Sequence, residues 1–133
     1  KNNRSIGRGY KVDRQEIVAT AVALREWLET DHEERFQQQA ARIETITRRL
    51  ADLPHVTTRN LWPEEQGPWM RLHIAYPVER VGKNNQEIGA ALKAGNPSIW
   101  VRPEGEGLTV EVHTLRPGEE QIVADALHQH LAR

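Results

Sequence analysis

Two periodicities divide the chain. Ile17, Ala21, Leu24 and Leu28 recur at helical spacing, and Phe36, Ala40, Ile43, Thr47 and Leu50 do so again further on. Asp13 with Glu16, and Asp31 with Glu34, stand where a side chain caps the free amides of a first turn and an acid three residues on caps in return. Val12 and Ile17 are spaced as a hydrophobic staple, and Leu53-Pro54 ends the second stripe. The reading for residues 1–53 is a long helix or a helix pair leading into the rest.

Beyond residue 54 the period changes to two. Residues 55–62 form a plausible strand, and 63–68 ("PEEQGP") a turn. Residues 69–76 alternate cleanly, with Met70, Leu72, Ile74 and Tyr76 on one face and Trp69, Arg71, His73 and Ala75 on the other. Asn84 and Glu87 cap a short helix that Gly95 stops. Residues 98–102 and 108–114 read as two further strands around the turn 103–107, and Pro117 opens a last helix whose apolar side holds Ile122, Val123, Ala126, Leu127 and Leu131. The order is α-α-β-β-α-β-β-α. It predicts an α+β two-layer sandwich, with an antiparallel sheet of about four strands and helices on one face. Residues 54–133 form the α+β domain proper.

Ile74, Ile99, Val101, Val110 and Val112 are expected in the core. The opposite face then shows Arg71, His73, Trp100, Arg102, Glu111 and His113, with Trp69 beside them. Such a face is too apolar for plain solvent. Cover by another domain, a second subunit or a ligand is open at this point, as is solvent exposure with cross-strand charge pairs.

Composition narrows the chemistry. Eighteen Lys+Arg against nineteen Asp+Glu leave a net charge of −1, so no global field favours nucleic acid or an anionic membrane. With no cysteine, disulfides, thiolate catalysis and cysteine-ligated metals are excluded. No apolar run approaches the roughly 18 residues of a membrane span. The first residues lack the apolar core of a secretory signal, and a cytoplasmic location is expected. The chain begins at Lys1 without an initiator Met and is expected to be a piece of something longer. Its six histidines show no ligand spacing, so no metal is expected. Gly7-Arg8-Gly9 matches a fragment of a phosphate loop but lacks a preceding strand and a following GK[ST]. No nucleophile–base set assembles from the sequence.

Two stretches carry a resemblance. "IGRGYKVDRQEIVATAVALREWL" near the start and "GNPSIWVRPEGEGLTVEVHTLRPGEEQIVADAL" near the end, with a Pro-x-Ile-x-x-Arg run closing on Arg102, resemble the C-terminal part of selenocysteine-synthase-like enzymes. These are pyridoxal-phosphate-dependent proteins of the aspartate-aminotransferase fold. They include L-seryl-tRNA(Sec) selenium transferase and D-glucosaminate-6-phosphate ammonia lyase. The middle, about 31 to 85, matches only by pattern. The resemblance implies a lyase or transferase, dimeric or otherwise homo-oligomeric, acting on an amino acid or amino sugar acid. The cofactor would act as the electron sink when Cα loses its proton and a β-group leaves.

It also implies a division of labour. A large domain outside this chain would hold pyridoxal phosphate and its lysine. None of Lys1, Lys11, Lys83 and Lys93 stands in the family's cofactor-lysine context, so no cofactor is expected on this chain itself. This chain would be the small domain and would help to close the site. Arg102 occupies the place of a small-domain arginine that holds a substrate carboxylate, through two parallel charged hydrogen bonds. A structural ion pair with Glu104 or Glu111 is the competing reading. Arg8 and Lys11 are secondary candidates, lining the domain junction or approaching a phosphorylated substrate, against a plain solvated helix entry. The alternative from another class is a non-catalytic α+β binding or dimerisation module using the Trp69/Trp100 face.

Overall fold

The computed structural model describes residues 13–61 and 69–132, and the chain divides into two units between His32 and Glu33. In the first unit, α1 spans Arg14–Glu29. Its start is the expected capping box: Asp13 Oδ1 accepts from the amides of Gln15 and Glu16 at 2.8 and 2.9 Å, and Glu16 returns a bond to the Asp13 amide at 3.0 Å. The apolar stripe reads differently. No residue of α1 is buried, and Ile17, Leu24 and Leu28 are exposed. Val12, the other half of the expected staple, lies outside the described residues.

The second unit runs α2 (His32–Leu50), β1 (Thr57–Leu61), β2 (Arg71–Ala75), α3 (Val78–Val81), α4 (Asn85–Ala94), β3 (Arg102–Glu104), β4 (Gly107–Glu111) and α5 (Glu119–Leu131). A 3-10 turn, Val112–Thr114, follows β4. This is the expected order with one short extra helix, α3. The sheet is antiparallel throughout, in the order β1-β2-β4-β3. A single core joins its inner face (Leu72, Ile74, Leu108, Val110) to Ile43 and Ile46 of α2, Ile88 and Leu92 of α4, and Leu127 and Leu131 of α5.

On α2 the buried stripe is Gln39, Ile43, Ile46 and Leu50, rotated from the expected one that ran through Thr47. Gln39 can face inward because its carboxamide oxygen accepts from the Met70 amide at 3.0 Å, so its polar end is satisfied. Asn84 and Glu87 form another predicted capping box, at the start of α4. The last helix begins two residues later than Pro117 suggested, after Gly118 in the left-handed region.

The main departure lies between α4 and β4. Residues 98–101 are not a strand. Ile99 donates its amide to Leu92 O at 3.0 Å and Ser98 donates its hydroxyl to Lys93 O at 2.6 Å. The segment thus satisfies carbonyls that the end of α4 leaves free, and only from Arg102 does it turn to pair with β4. Ile99 and Val101 are half-buried against the core, whereas Ile74, Val110 and Val112 are buried as expected.

The hairpin turn is correspondingly tight. Gly105, at φ +56°, is the first of its two central residues, the conformation that a two-residue turn of the II′ kind demands. Gly107 serves a different need. A Cβ there would lie 2.1 Å from the Ile74 carbonyl oxygen, so the close approach of β2 and β4 requires a hydrogen at that position.

Tyr76 ends the inner face of β2. Its hydroxyl is buried without a hydrogen-bond partner among the described residues, and burial, aided by the charge of Glu87, pushes the phenol above its usual range.

Candidate functional site

The face of the sheet turned away from the core carries the polar residues, and strand register arranges them in rows. One row reads Arg59, His73, Thr109, Arg102 across β1, β2, β4 and β3. The next reads Leu61, Arg71, Glu111. On the other side, Gly107 stands opposite Glu104. Alternation puts these side chains on one surface because neighbouring strands keep their pleats in phase.

Arg102 lies on this face, with its side chain 54% exposed. Its Nη2 donates to Glu111 Oε1 at 2.6 Å. The same carboxylate oxygen stands 3.6 Å from Arg71 Nε, so Glu111 sits between two guanidiniums. One carboxylate cannot occupy every donor of two guanidiniums, each with five N–H groups. Arg102 therefore makes the ion pair of the structural reading while its half-exposed side chain keeps donors that Glu111 does not occupy.

A second chain of contacts lies beside it. Thr109 Oγ1 donates to Glu104 Oε2 at 3.1 Å, and His73 Nδ1 stands 3.3 Å from the same hydroxyl. Thr109 itself is buried beneath these neighbours. Arg59 is exposed and has no ion-pair partner among the described residues. Among the described residues the face thus holds Arg59, Arg71 and Arg102 against Glu104 and Glu111, a balance that suits an anion.

Other residues expected here lie elsewhere. Trp100 belongs to the segment that hydrogen-bonds to α4; it is 73% exposed, with Lys93 Nζ 3.8 Å from its ring centre. His113 sits in the 3-10 turn after β4, stacked on Trp69 at 4.7 Å. The Arg35 guanidinium lies 4.8 Å from the Trp69 ring. Arg8 and Lys11 lie outside the described residues. The Glu104–Thr109–His73 chain and Arg59 were not singled out from sequence. His73 and Thr109 show in the alternation of their strands, but Glu104 reads as a turn residue.

A covalent site for pyridoxal phosphate does not fit the lysines described. Lys83 follows α3, and Lys93 of α4 is committed to Trp100, so neither stands on the polar sheet face. Among the described residues no three of His, Asp and Glu gather as a metal-ligand set. His128 instead pairs with Asp52 at 3.0 Å.

The α+β fold has a counterpart within a larger solved structure. It superposes on a solved structure of D-glucosaminate-6-phosphate ammonia-lyase with a TM-score of 0.70 at 17% identity, covering 96% of this chain and 34% of that one. In sequence, the chain is 26% identical over 123 residues to a 5'-C-glycyluridine monooxygenase-decarboxylase from a Streptomyces species, covering 89% of this chain and 31% of the relative. No established family profile matches. The chain therefore spans about a third of the length of each of these proteins. Among the described residues no helix is long and apolar enough to cross a membrane.

Proposed function

We propose that this chain is the small domain of a pyridoxal-phosphate-dependent lyase- or transferase-like enzyme, acting in the cytoplasm as a homo-oligomer on an amino acid or amino sugar acid. The cofactor and its lysine belong to a large domain outside this chain. The polar sheet face contributes the substrate-anion contact, and the domain contributes closure. The single observation that carries the reading is Arg102: a half-exposed side chain on the polar face, held at one guanidinium nitrogen by Glu111.

A fork fixed by one carboxylate has lost part of its rotamer freedom before a ligand arrives, which lowers the ordering cost of a two-point contact. The names of the two similar proteins support the substrate class, since a glycyluridine and a glucosaminate each join an amino-acid group to a sugar framework.

The test is Arg102→Lys in the full-length protein, with kinetics and melting measured on the same sample. An ammonium cannot reproduce the planar contact, so kcat/KM for the amino acid substrate should fall roughly ten- to a hundredfold, as loss of a charge-assisted bond implies. The melting temperature should change little, because exposed ion pairs contribute at most about 1 kcal/mol. A destabilised enzyme with unchanged kcat/KM would remove Arg102 from the site.

A second reading, a binding or dimerisation module, is favoured by Trp100 and Ile122, which are 73% and 46% exposed beside a cleft of about 310 Å³. Sedimentation of the parent and of Trp100→Ser separates the two. Self-association abolished by the substitution, with kcat/KM unaffected by Arg102→Lys, would select the module.

A further inference from the structure

We propose that His73 is a specificity-determining residue of the anion site, accepting a hydrogen bond from a hydroxyl carried on the same molecule whose carboxylate Arg102 holds. The ligand class is then a hydroxylated acid rather than a plain one. The inference rests on the anion reading of Arg102 and adds a second contact point.

Hydrogen-bond direction carries the argument. An ionised carboxylate only accepts, so the Thr109 hydroxyl proton points at Glu104, 3.1 Å away. Thr109 Oγ1 then presents a lone pair to His73, and His73 Nδ1, at 3.3 Å, must carry the hydrogen. In the neutral ring this leaves Nε2 with a lone pair. Nε2 has no hydrogen-bond partner among the described residues, although His73 stands in the middle of the polar face. Thr109 is buried and so holds the relay away from competing water.

The row supplies the geometry. His73 and Arg102 flank Thr109 on either side, two strand spacings apart, about 10 Å between their backbones. Both side chains turn toward β4 from opposite sides, His73 to Thr109 and Arg102 to Glu111 two residues along, which brings the two groups within reach of one extended small molecule. The charges facing Nε2 select the donor it receives. Among the described residues Arg59 from β1, Arg71 from its own strand and Arg102 from β3 outnumber Glu104 and Glu111, which disfavours an ammonium and admits a neutral O–H.

The experiment uses nitrogen-15-labelled 133-residue chain, with gluconate and hexanoate as probes of equal chain length and equal charge. Long-range proton–nitrogen NMR should find His73 in the Nδ1–H form. Both acids should shift the Arg102 Nε resonance. Only gluconate should shift His73 Nε2, and it should bind about fivefold tighter, as one neutral hydrogen bond provides. The preference should vanish in His73→Phe. In Thr109→Val, of nearly equal volume, the single tautomer should give way to a mixture.

An Nε2–H tautomer in the free chain would overturn the proposal, as would Thr109→Val keeping both the pure Nδ1–H form and the gluconate preference. Arg102 responding to both acids with His73 indifferent to both would remove His73 while leaving the anion reading intact. Silence at Arg102 with either acid would remove the anion reading, and this proposal with it.

Discussion

Replacing Glu111 by Gln should weaken the fold slightly and tighten anion binding. Glu111 Oε1 is 2.6 Å from Arg102 Nη2 and 3.6 Å from Arg71 Nε, with side-chain exposures of 29%, 54% and 20% for Glu111, Arg102 and Arg71. Gln keeps an acceptor oxygen but no charge. The half-exposed pair with Arg102 contributes little to stability. The more enclosed Arg71 loses a partial counter-charge, and the sum should be about 1 kcal/mol, or roughly 4 °C in melting temperature for a chain of this size.

Binding moves the other way. An anion on the outer edge of the Arg102 fork would lie about 5 Å from the Glu111 carboxylate. Repulsion over that distance is about 0.8 kcal/mol in water and several times that in a shielded site. With these exposures the high-dielectric end applies, so removing it should gain about 1 kcal/mol, roughly fivefold in affinity. Titrating hexanoate while following the Arg102 Nε resonance reads the affinity, and circular dichroism reads the melt. A variant that binds the acid no better, or worse, than the parent would refute Arg102 as the anion group. It would leave the Arg102–Glu111 contact as a structural ion pair alone.

Gly107→Ala should lower the melting temperature by about 10 °C, since its Cβ would lie 2.1 Å from Ile74 O, between β4 and β2, and overpacking there costs about 3 kcal/mol; a shift under about 2 °C would contradict the geometry. Tyr76→Phe should leave stability unchanged or raise it by up to about 1 kcal/mol, because the buried hydroxyl has no hydrogen-bond partner to lose. In the parent, Tyr76 should ionise later than an ordinary tyrosine in a spectrophotometric titration. With the folded pKa raised above the unfolded one, its contribution is complete below about pH 10 and is lost as pH rises through the folded value, so Tyr76→Phe should flatten the alkaline limb of the stability curve. Borohydride reduction of the 133-residue chain mixed with pyridoxal phosphate should give no single stoichiometric adduct by mass spectrometry; one on Lys11, Lys83 or Lys93 would overturn the proposed division of labour.

What the sequence disclosed follows from how local each signal is. A capping box needs only four consecutive residues, and of the three signatures read, those at Asp13 and Asn84 are present as capping boxes. The face of β2 was legible because its alternation spans Met70 to Tyr76 without interruption. Residues 98–101 show the same alternation, but the free carbonyls of α4 compete for their hydrogen bonds, and nothing in the sequence marks that competitor. Gln39 was missed because a polar residue enters a helix stripe only when a distant amide, here Met70, meets it. The site was half legible. Arg102 was marked by the resemblance and by its strand. The contact of Thr109 with His73, 36 residues away, depends on β4 inserting between β2 and β3, an order that spacing along the chain does not reveal.

The edge strand β3 has a consequence for assembly. It is three residues long, and the middle one, Pro103, has no amide hydrogen to offer a newcomer. Charged Arg102 and Glu104 flank it, and Gly89 brings α4 so near that a Cβ there would lie 3.0 Å from the Pro103 ring. This border is therefore a poor template for a foreign strand. Among the described strands, β1 is the other border and carries five residues without proline. Any extension of the sheet by another polypeptide, whether a swapped segment or the first step of aggregation, would have to grow from the β1 side. The resulting stack would be polar: growth in one direction, with the hairpin end always last.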